Sequence, residues 1–149
     1  MRAIIQRVSQ ANVTIEDQVY GEISQGLVVL LGVGQEDDLK DCQYMAEKIP
    51  NLRIFQDEQD KMNLSLQQVG GEILLISQFT LYGDARKGRR PGFSSAAEPK
   101  IGEELYDKTL ELLRQQGIKV ATGRFGANMQ IGLINDGPVT IMLDSKKLF

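Results

Sequence analysis

The chain has 149 residues, a net charge of −3 and no histidine. Without histidine, the sequence excludes the usual general base, the usual zinc ligand and every Ser-His or Cys-His catalytic pair. A single cysteine and the lack of an apolar run long enough to span a membrane predict a cytoplasmic protein without disulfides.

The first 34 residues predict β-structure. Residues 2–23 alternate apolar and polar side chains, as in half-buried antiparallel strands, with turns expected at Gln10-Ala11 and Asp17-Gln18. The run GLVVLLGVG that follows is apolar and bounded by glycines, which predicts a central strand buried on both faces. Its GVG, residues 32–34, lacks the rest of a dinucleotide fingerprint, and no GxxxxGK[ST] loop is present, so no nucleotide cofactor is indicated.

Residues 36–49 predict an amphipathic helix. Its apolar side chains recur at helical spacing: Leu39, Cys42, Met45, Ala46 and Ile49. This pattern favours a core position for Cys42 over a reactive thiol, because no basic neighbour is apparent in the sequence. The acidic run at 36–38 favours a helix start over a metal site, because no further ligands accompany it at a recognisable spacing.

Residues 52–97 predict two strands and a basic loop. LRIF is a short strand, QDEQDKMN a polar turn and GGEILLISQFTL a second, mostly apolar strand. The loop YGDARKGRRPGFSS carries four positive charges in five positions: Arg86, Lys87, Arg89 and Arg90. These residues suit either contacts with nucleic-acid phosphates or a solvated loop. The net charge of −3 argues against a protein that coats nucleic acid by bulk attraction.

Residues 98–144 predict a helix followed by strands. The helix is expected over 98–116, with Pro99 near its first turn and Gly117 just beyond its end. IKVATG, NMQIGLI and VTIMLD predict strands, and NDGP between the last two predicts a hairpin. The order of elements predicts a single α/β domain over residues 1–149, with a mixed, largely antiparallel sheet and two main helices.

The strand of GGEILLISQFTL ends in polar residues beside the basic loop. Ser77, Gln78 and Thr80 supply two hydroxyls and an amide there. Such groups could provide a nucleophile, bind a substrate or form only the polar edge of a sheet, and by pattern alone the polar edge is favoured.

Two stretches together resemble a known family. SQFTLYGD at 77–84 and NDGPVTIMLDS at 135–145 are similar to the paired SQxTL and NxGP signatures of the D-aminoacyl-tRNA deacylases. MRAIIQRVSQANVT, GLVVLLGV, RPGFSSAAEP and GRFGANMQIGLINDGPVT also resemble that family in the same order. The resemblance therefore covers essentially the whole chain.

The resemblance implies a homodimer that hydrolyses the ester of D-aminoacyl-tRNA at the subunit interface, without a cofactor or metal. It also implies activity on glycyl-tRNA, including tRNA-Ala mischarged with glycine. By position, one side of the site is lined by Ser77, Gln78, Phe79 and Thr80. Gly137 and Pro138, joined by a cis bond in the family, reach in from the other subunit, and their carbonyls, held in part by Arg7, hold the α-amino group. Phe125 and Met129 border the terminal adenosine.

The residues suit this chemistry without imidazole. An aminoacyl ester is already activated, so attack by water needs positioning and oxyanion stabilisation more than a strong base. The backbone N–H groups near Phe79 and Thr80 are candidate donors, and the substrate's 2′-hydroxyl can assist proton transfer. If Thr80 were a nucleophile, no base evident in the sequence would activate it. We therefore favour a role for Thr80 as a hydrogen-bonding residue that lines the site.

Two alternatives stay open. A paralogous editing enzyme removes L-alanine from mischarged tRNA and is similar to a PQxTL pattern, against which Ser77 argues. A non-catalytic tRNA-binding module would use the basic loop, but the acidic net charge and the lack of a basic stripe interleaved with aromatics argue against it.

Overall fold

The computed structural model describes residues 1–149 and contains eight strands and two helices. Their order and bounds are β1 Arg2–Ile15, β2 Gln18–Ile23, β3 Gly26–Gly32, α1 Leu39–Asn51, β4 Phe55–Gln56, β5 Met62–Leu64, β6 Glu72–Ser77, α2 Pro99–Gln115, β7 Val120–Thr122 and β8 Gln130–Asp144. A single 3-10 turn, Phe79–Tyr82, follows β6 and is called the site turn below.

The main sheet is mixed and largely antiparallel. Its order is β2-β1-β3-β6-β7, and β8 pairs with β1 along nearly its whole length. β1 is antiparallel to β2, β3 and β8, whereas β6 is parallel to both β3 and β7. β4 and β5 form a separate two-stranded sheet. The predicted α/β class, with two main helices, is therefore confirmed.

The core lies on both faces of the sheet. Alternate residues of β3 and β6 point to opposite faces, so Leu27 and Ile73 belong to a buried cluster under α1 and α2, whereas Val28 and Leu74 belong to a second cluster. The second cluster is partly covered by residues of the 127–133 segment. The prediction that GLVVLLGVG is a central strand buried on both faces is confirmed.

Helix α1 begins as the acidic run predicts. Asp38 is the N-cap and forms a capping box with Asp41. Burial raises the pKa of Asp41, but hydrogen bonds from Lys146 and Ser145 outweigh this effect and lower the pKa to about 2. Cys42 is buried in the core, and this burial raises the pKa of its thiol. The core interpretation of Cys42 is therefore confirmed.

One of the two turns predicted in the first 23 residues differs from the structure. β1 runs unbroken through Gln10-Ala11, where a change of register with β8 takes the place of the expected turn. The turn near Asp17 is confirmed, since Glu16 and Asp17 both have positive φ. The sequence pattern was misleading at Gln10 because exposed polar residues occur both in turns and at irregular places within strands.

The predicted hairpin at NDGP is also wrong. β8 continues through it, because both halves of β8 pair with the long β1 and not with each other. Gln6 lies opposite Thr140 and Val8 opposite Asn135, so residues 136–139 are accommodated opposite Arg7 alone. These four residues form a bulge, called the β8 bulge below. Neither helix is long and apolar enough to cross a membrane.

Candidate active site

An apolar cavity of about 560 Å³ opens at the C-terminal ends of β3 and β6. Its volume lies within the usual range for small-ligand sites. The aromatic and large aliphatic residues of its wall are Leu31, Val33, Ile76, Phe79, Phe93, Phe125, Met129 and Ile131. Its polar side chains are Ser77, Gln78 and Asn128. The cavity thus combines apolar walls with a small polar group at the end of β6.

The site turn begins directly after β6. The sequence pattern predicts Ser77 to Thr80 together at a strand end, but only Ser77 lies in β6, and Gln78 leads into the turn. The Gln78 N–H donates to the Leu31 carbonyl at 2.8 Å, which ties the start of the turn to β3. The N–H groups of Phe79 and Thr80 donate to no protein acceptor, as expected at the first positions of a helix.

The side chains of the site turn have different surroundings. Phe79 is largely exposed and packs edge-on against Phe93, with 5.2 Å between ring centroids. Thr80 is exposed outside the cavity lining, and its Oγ1 accepts a hydrogen bond from Nε2 of Gln78. No carboxylate or amine contacts this hydroxyl. Sequence analysis did not single out Phe93, although its segment RPGFSS carried part of the family resemblance.

Phe125 and Met129 reach the cavity from the segment between β7 and β8. The Phe125 ring packs against Tyr106 at 5.9 Å between centroids. It also lies over Gly102 of α2, where an added Cβ would be 3.4 Å from the Phe125 Cζ. The structure therefore brings Phe125 and Met129 together with Ser77, Gln78 and Phe79 around one cavity.

Within a single chain, Gly137, Pro138 and Arg7 are not at this cavity. The Gly137–Pro138 peptide bond is cis, as the resemblance implies, and both residues are exposed in the β8 bulge. Arg7 is only 4% exposed. Its Nε donates to the Asp136 carbonyl at 3.2 Å, and its Nη1 donates to the Ile54 carbonyl at 2.6 Å. Arg7 thus fixes the carbonyl that precedes Gly137, but none of these three residues lines the cavity.

The basic loop contains one paired and three unpaired cations. Arg86 forms a bidentate pair with Asp84, with Nε–Oδ1 and Nη2–Oδ2 distances of 2.9 and 2.7 Å. The pair lowers the pKa of Asp84 and raises that of Arg86. Lys87, Arg89 and Arg90 are exposed and make no ion pair. Three of the four cations that are predicted to contact phosphates therefore have no ion-pair partner in the protein.

Residues 4–144 match the family model described as D-Tyr-tRNA(Tyr) deacylase. The chain belongs to this family. It is 55% identical to the D-aminoacyl-tRNA deacylase of Thermotoga petrophila and 56% identical to that of Clostridioides difficile, over the full length of each protein. The family assignment confirms the sequence prediction of a deacylase, a hydrolase of the ester bond.

Two solved structures resemble the fold. The c-Myc DNA Unwinding Element Binding Protein is 41% identical, with a TM-score of 0.91 over 97% of this chain and 98% of its own. A probable eukaryotic D-amino acid tRNA deacylase is 18% identical, with a TM-score of 0.83 over 95% of this chain and 97% of its own, and it supports the fold alone.

Proposed function

We propose that this protein hydrolyses the ester of D-aminoacyl-tRNA, releasing the free D-amino acid and tRNA, as a homodimer in the cytoplasm. The observation that carries the proposal is the pair of unengaged N–H groups at Phe79 and Thr80, beside an apolar cavity, in a chain of the deacylase family. The single buried cysteine supports a reducing compartment.

The terminal adenosine of tRNA is the group we assign to the cavity. Phe125 and Met129 offer apolar surfaces against which an adenine ring can pack, and base–aromatic stacking is worth about 1–3 kcal/mol. Adenosine held there brings its 3′-ester to the polar end of the cavity, at Ser77 and Gln78. The ester then lies next to the site turn.

Hydrolysis proceeds by attack of water on the ester carbonyl carbon. The carbonyl oxygen becomes an oxyanion, which accepts hydrogen bonds from the N–H groups of Phe79 and Thr80, and one such donor contributes ~10²–10³ in rate. The bond to the 3′-oxygen then breaks, and that oxygen takes the proton that the attacking water loses, relayed through the neighbouring 2′-hydroxyl. The Thr80 side chain is a hydrogen-bonding group and not the nucleophile, since its Oγ1 is hydrogen-bonded only to an amide N–H that cannot accept its proton.

The α-amino group of the substrate carries a positive charge and needs hydrogen-bond acceptors. We assign this role to the partner subunit's Gly137 and Pro138, whose carbonyls would accept hydrogen bonds from the ammonium group. Exposed apolar side chains flank the β8 bulge, with Ile134 and Met142 at 53% and 56% exposure, which suits an interface between copies of the chain.

Selection against L-amino acids follows from the same arrangement. With the ammonium group, the ester carbonyl and the α-hydrogen fixed, an L side chain would overlap the backbone of Gly137 and Pro138, whereas a D side chain points away. The backbone that Arg7 holds cannot move to accommodate an L side chain, whereas a side chain could change its rotamer. Glycine has no side chain to exclude, so glycyl-tRNA, including glycyl-tRNA-Ala, is also a substrate in this proposal.

The basic loop supplies contacts to tRNA phosphates. Lys87, Arg89 and Arg90 are exposed cations without a protein partner, so they can meet phosphates without reading bases. A role limited to nucleic-acid binding is the second candidate, because one structural relative is named for binding a DNA element. The two candidates differ in whether the ester is cleaved.

Incubation with D-Tyr-tRNA, L-Tyr-tRNA and L-Ala-tRNA tests the proposal. We expect loss of the D-Tyr ester only. A binding module would leave all three esters intact, and an L-alanine editing enzyme would cleave L-Ala-tRNA. With D-Tyr-tRNA, a 2′-deoxy terminus should slow hydrolysis more than Thr80→Ala does. If Thr80→Ala abolishes turnover while the 2′-deoxy substrate reacts normally, Thr80 is the nucleophile and the proposed chemistry is wrong.

A further inference from the structure

The GVG of residues 32–34, which lacks the rest of a dinucleotide fingerprint, lies directly beneath the site turn. A Cβ added at Gly32 would be 2.9 Å from the Gln78 carbonyl oxygen and 3.2 Å from the Leu81 Cβ. A Cβ added at Gly34 would be 2.7 Å from both Cζ and Oη of Tyr82. The site turn therefore packs against glycine backbone at the end of β3 and just beyond it.

Tyr82, the last residue of the site turn, is fixed by a buried carboxylate. Its Oη donates to Oδ2 of Asp37 at 3.1 Å, and the same oxygen accepts the Gly34 N–H at 2.6 Å. The Asp37 side chain is only 3% exposed, and its other oxygen contacts the Met1 ammonium at 2.7 Å. Burial, together with the Asp37 charge, raises the pKa of Tyr82, so its hydroxyl remains a donor.

Arg2 fixes the same end of the turn from a second direction. Its guanidinium lies over the Tyr82 ring at 4.6 Å from the centroid, and its Nη1 donates to the Leu81 carbonyl at 3.1 Å. The Asp144 carboxylate holds Nε of Arg2 at 3.2 Å. Because Gln78 is bonded to β3 at the other end, the turn is held at both ends.

We infer that Tyr82, seated on Gly34 and bonded to Asp37, is a positioning residue for deacylation. It sets the place of the Phe79 and Thr80 N–H groups relative to the ester without touching the substrate. This inference rests on the proposed function, because those two N–H groups are its oxyanion donors. A displacement of about 1 Å in such a group can cost 10²-fold in rate.

Gly34→Ala tests the inference, with Gly71→Ala as its matched control. Gly34 has no positive φ, and the three atoms nearest to an added Cβ all belong to Tyr82, so alanine acts there by pushing the Tyr82 ring. At Gly71 a Cβ would meet Leu66 Cδ1 at 2.5 Å, at the opposite end of β6 from the site. With D-Tyr-tRNA we expect Gly34→Ala to lower kcat about tenfold and to leave KM within about twofold. Gly71→Ala should lower Tm but leave kcat within about twofold.

A double-mutant cycle separates positioning from general destabilisation. Tyr82→Leu removes the ring and should lower kcat at least about tenfold, whereas Tyr82→Phe keeps the ring and should lose no more than about threefold. In the Tyr82→Leu background, adding Gly34→Ala should lower kcat by less than a further factor of about two, because no ring is left to displace.

Three outcomes would overturn the inference. In the first, Gly34→Ala keeps its kcat while its Tm falls as in Gly71→Ala. In the second, the effects of Gly34→Ala and Tyr82→Leu multiply fully. In the third, Tyr82→Leu is as active as the wild type, a result that decides the matter even if Gly34→Ala does not fold. Wild-type protein that leaves D-Tyr-tRNA intact would instead refute the proposed function, and this inference with it.

Discussion

Replacing Gly137 with alanine should abolish most D-Tyr-tRNA hydrolysis and leave the protein folded. Gly137 has a φ of +121°, and an added Cβ would lie 2.8 Å from Nη2 of Arg7 and 2.9 Å from Cγ2 of Val139. The backbone conformation alone costs about 1–3 kcal/mol for a residue with a side chain. Moving Arg7 away from its carbonyl acceptors costs about 1.5–3 kcal/mol more, because those hydrogen bonds involve a charge.

A shift of the β8 bulge away from Arg7 relieves this strain. Gly137 and Pro138 are exposed and only Val139 of the bulge packs against a core cluster, so a displacement leaves the buried core residues in place, and a domain stability of about 5–15 kcal/mol can absorb the loss. The carbonyls proposed to hold the α-amino group move with the bulge. We therefore expect kcat/KM for D-Tyr-tRNA to fall about 10²-fold or more, with a Tm lowered by several degrees.

Hydrolysis assays and thermal unfolding of Gly137→Ala check this prediction, with Gly117→Ala as control. Gly117 also has a positive φ, +78°, but an added Cβ meets nothing within 4 Å. The control therefore carries backbone strain without a clash and lies just after α2, away from the site. If Gly137→Ala hydrolyses D-Tyr-tRNA within about threefold of wild type, the role given to this residue is refuted.

Three further results are expected. Phe79→Pro, which removes one N–H donor, should lower kcat ~10²–10³-fold relative to Phe79→Ala, which keeps the N–H and loses the same ring; equal rates would exclude that donor. Neutralising Arg89 and Arg90 with glutamine should weaken binding to all tRNAs alike and flatten the salt dependence by up to about one unit of slope per lost contact. An unchanged slope would put the phosphate contacts elsewhere. Because the folded pKa of Asp41, about 2, lies below the ordinary 3.8, its contribution of about 2 kcal/mol should be present above pH 4 and lost as the pH falls through 2. Acid unfolding monitored by circular dichroism should show this loss in the wild type and a flatter profile in Asp41→Asn.

The sequence predicted elements whose signals are local. The acidic run before α1 indicates a capped helix start, and Asp38 caps it. The apolar run bounded by glycines indicates a doubly buried strand, and β3 is one. The hairpin at NDGP was wrong because a turn signal cannot reveal that both flanking segments pair with a third strand far away in the chain.

The candidate site was predictable as motifs and not as geometry. The SQFTL stretch indicates the site, but its division into a strand end and a 3-10 turn depends on packing against Gly32 and Gly34. The contact of Tyr82 with Asp37 joins residues 45 positions apart, and it leaves no periodic pattern in the sequence. Arg7 likewise reaches the β8 bulge through strand pairing, which composition and spacing do not encode.

Subunit complementation tests most directly the claim that the site turn of one subunit acts with the β8 bulge of the other. Phe79→Pro and Gly137→Ala proteins should each be nearly inactive on D-Tyr-tRNA as homodimers. When they are unfolded together and refolded as an equal mixture, half of the dimers should be mixed, and one of the two sites in each mixed dimer is intact. We therefore expect recovery of about a quarter of the wild-type kcat. Mixed dimers that form but remain as inactive as their parents would contradict a site shared between subunits.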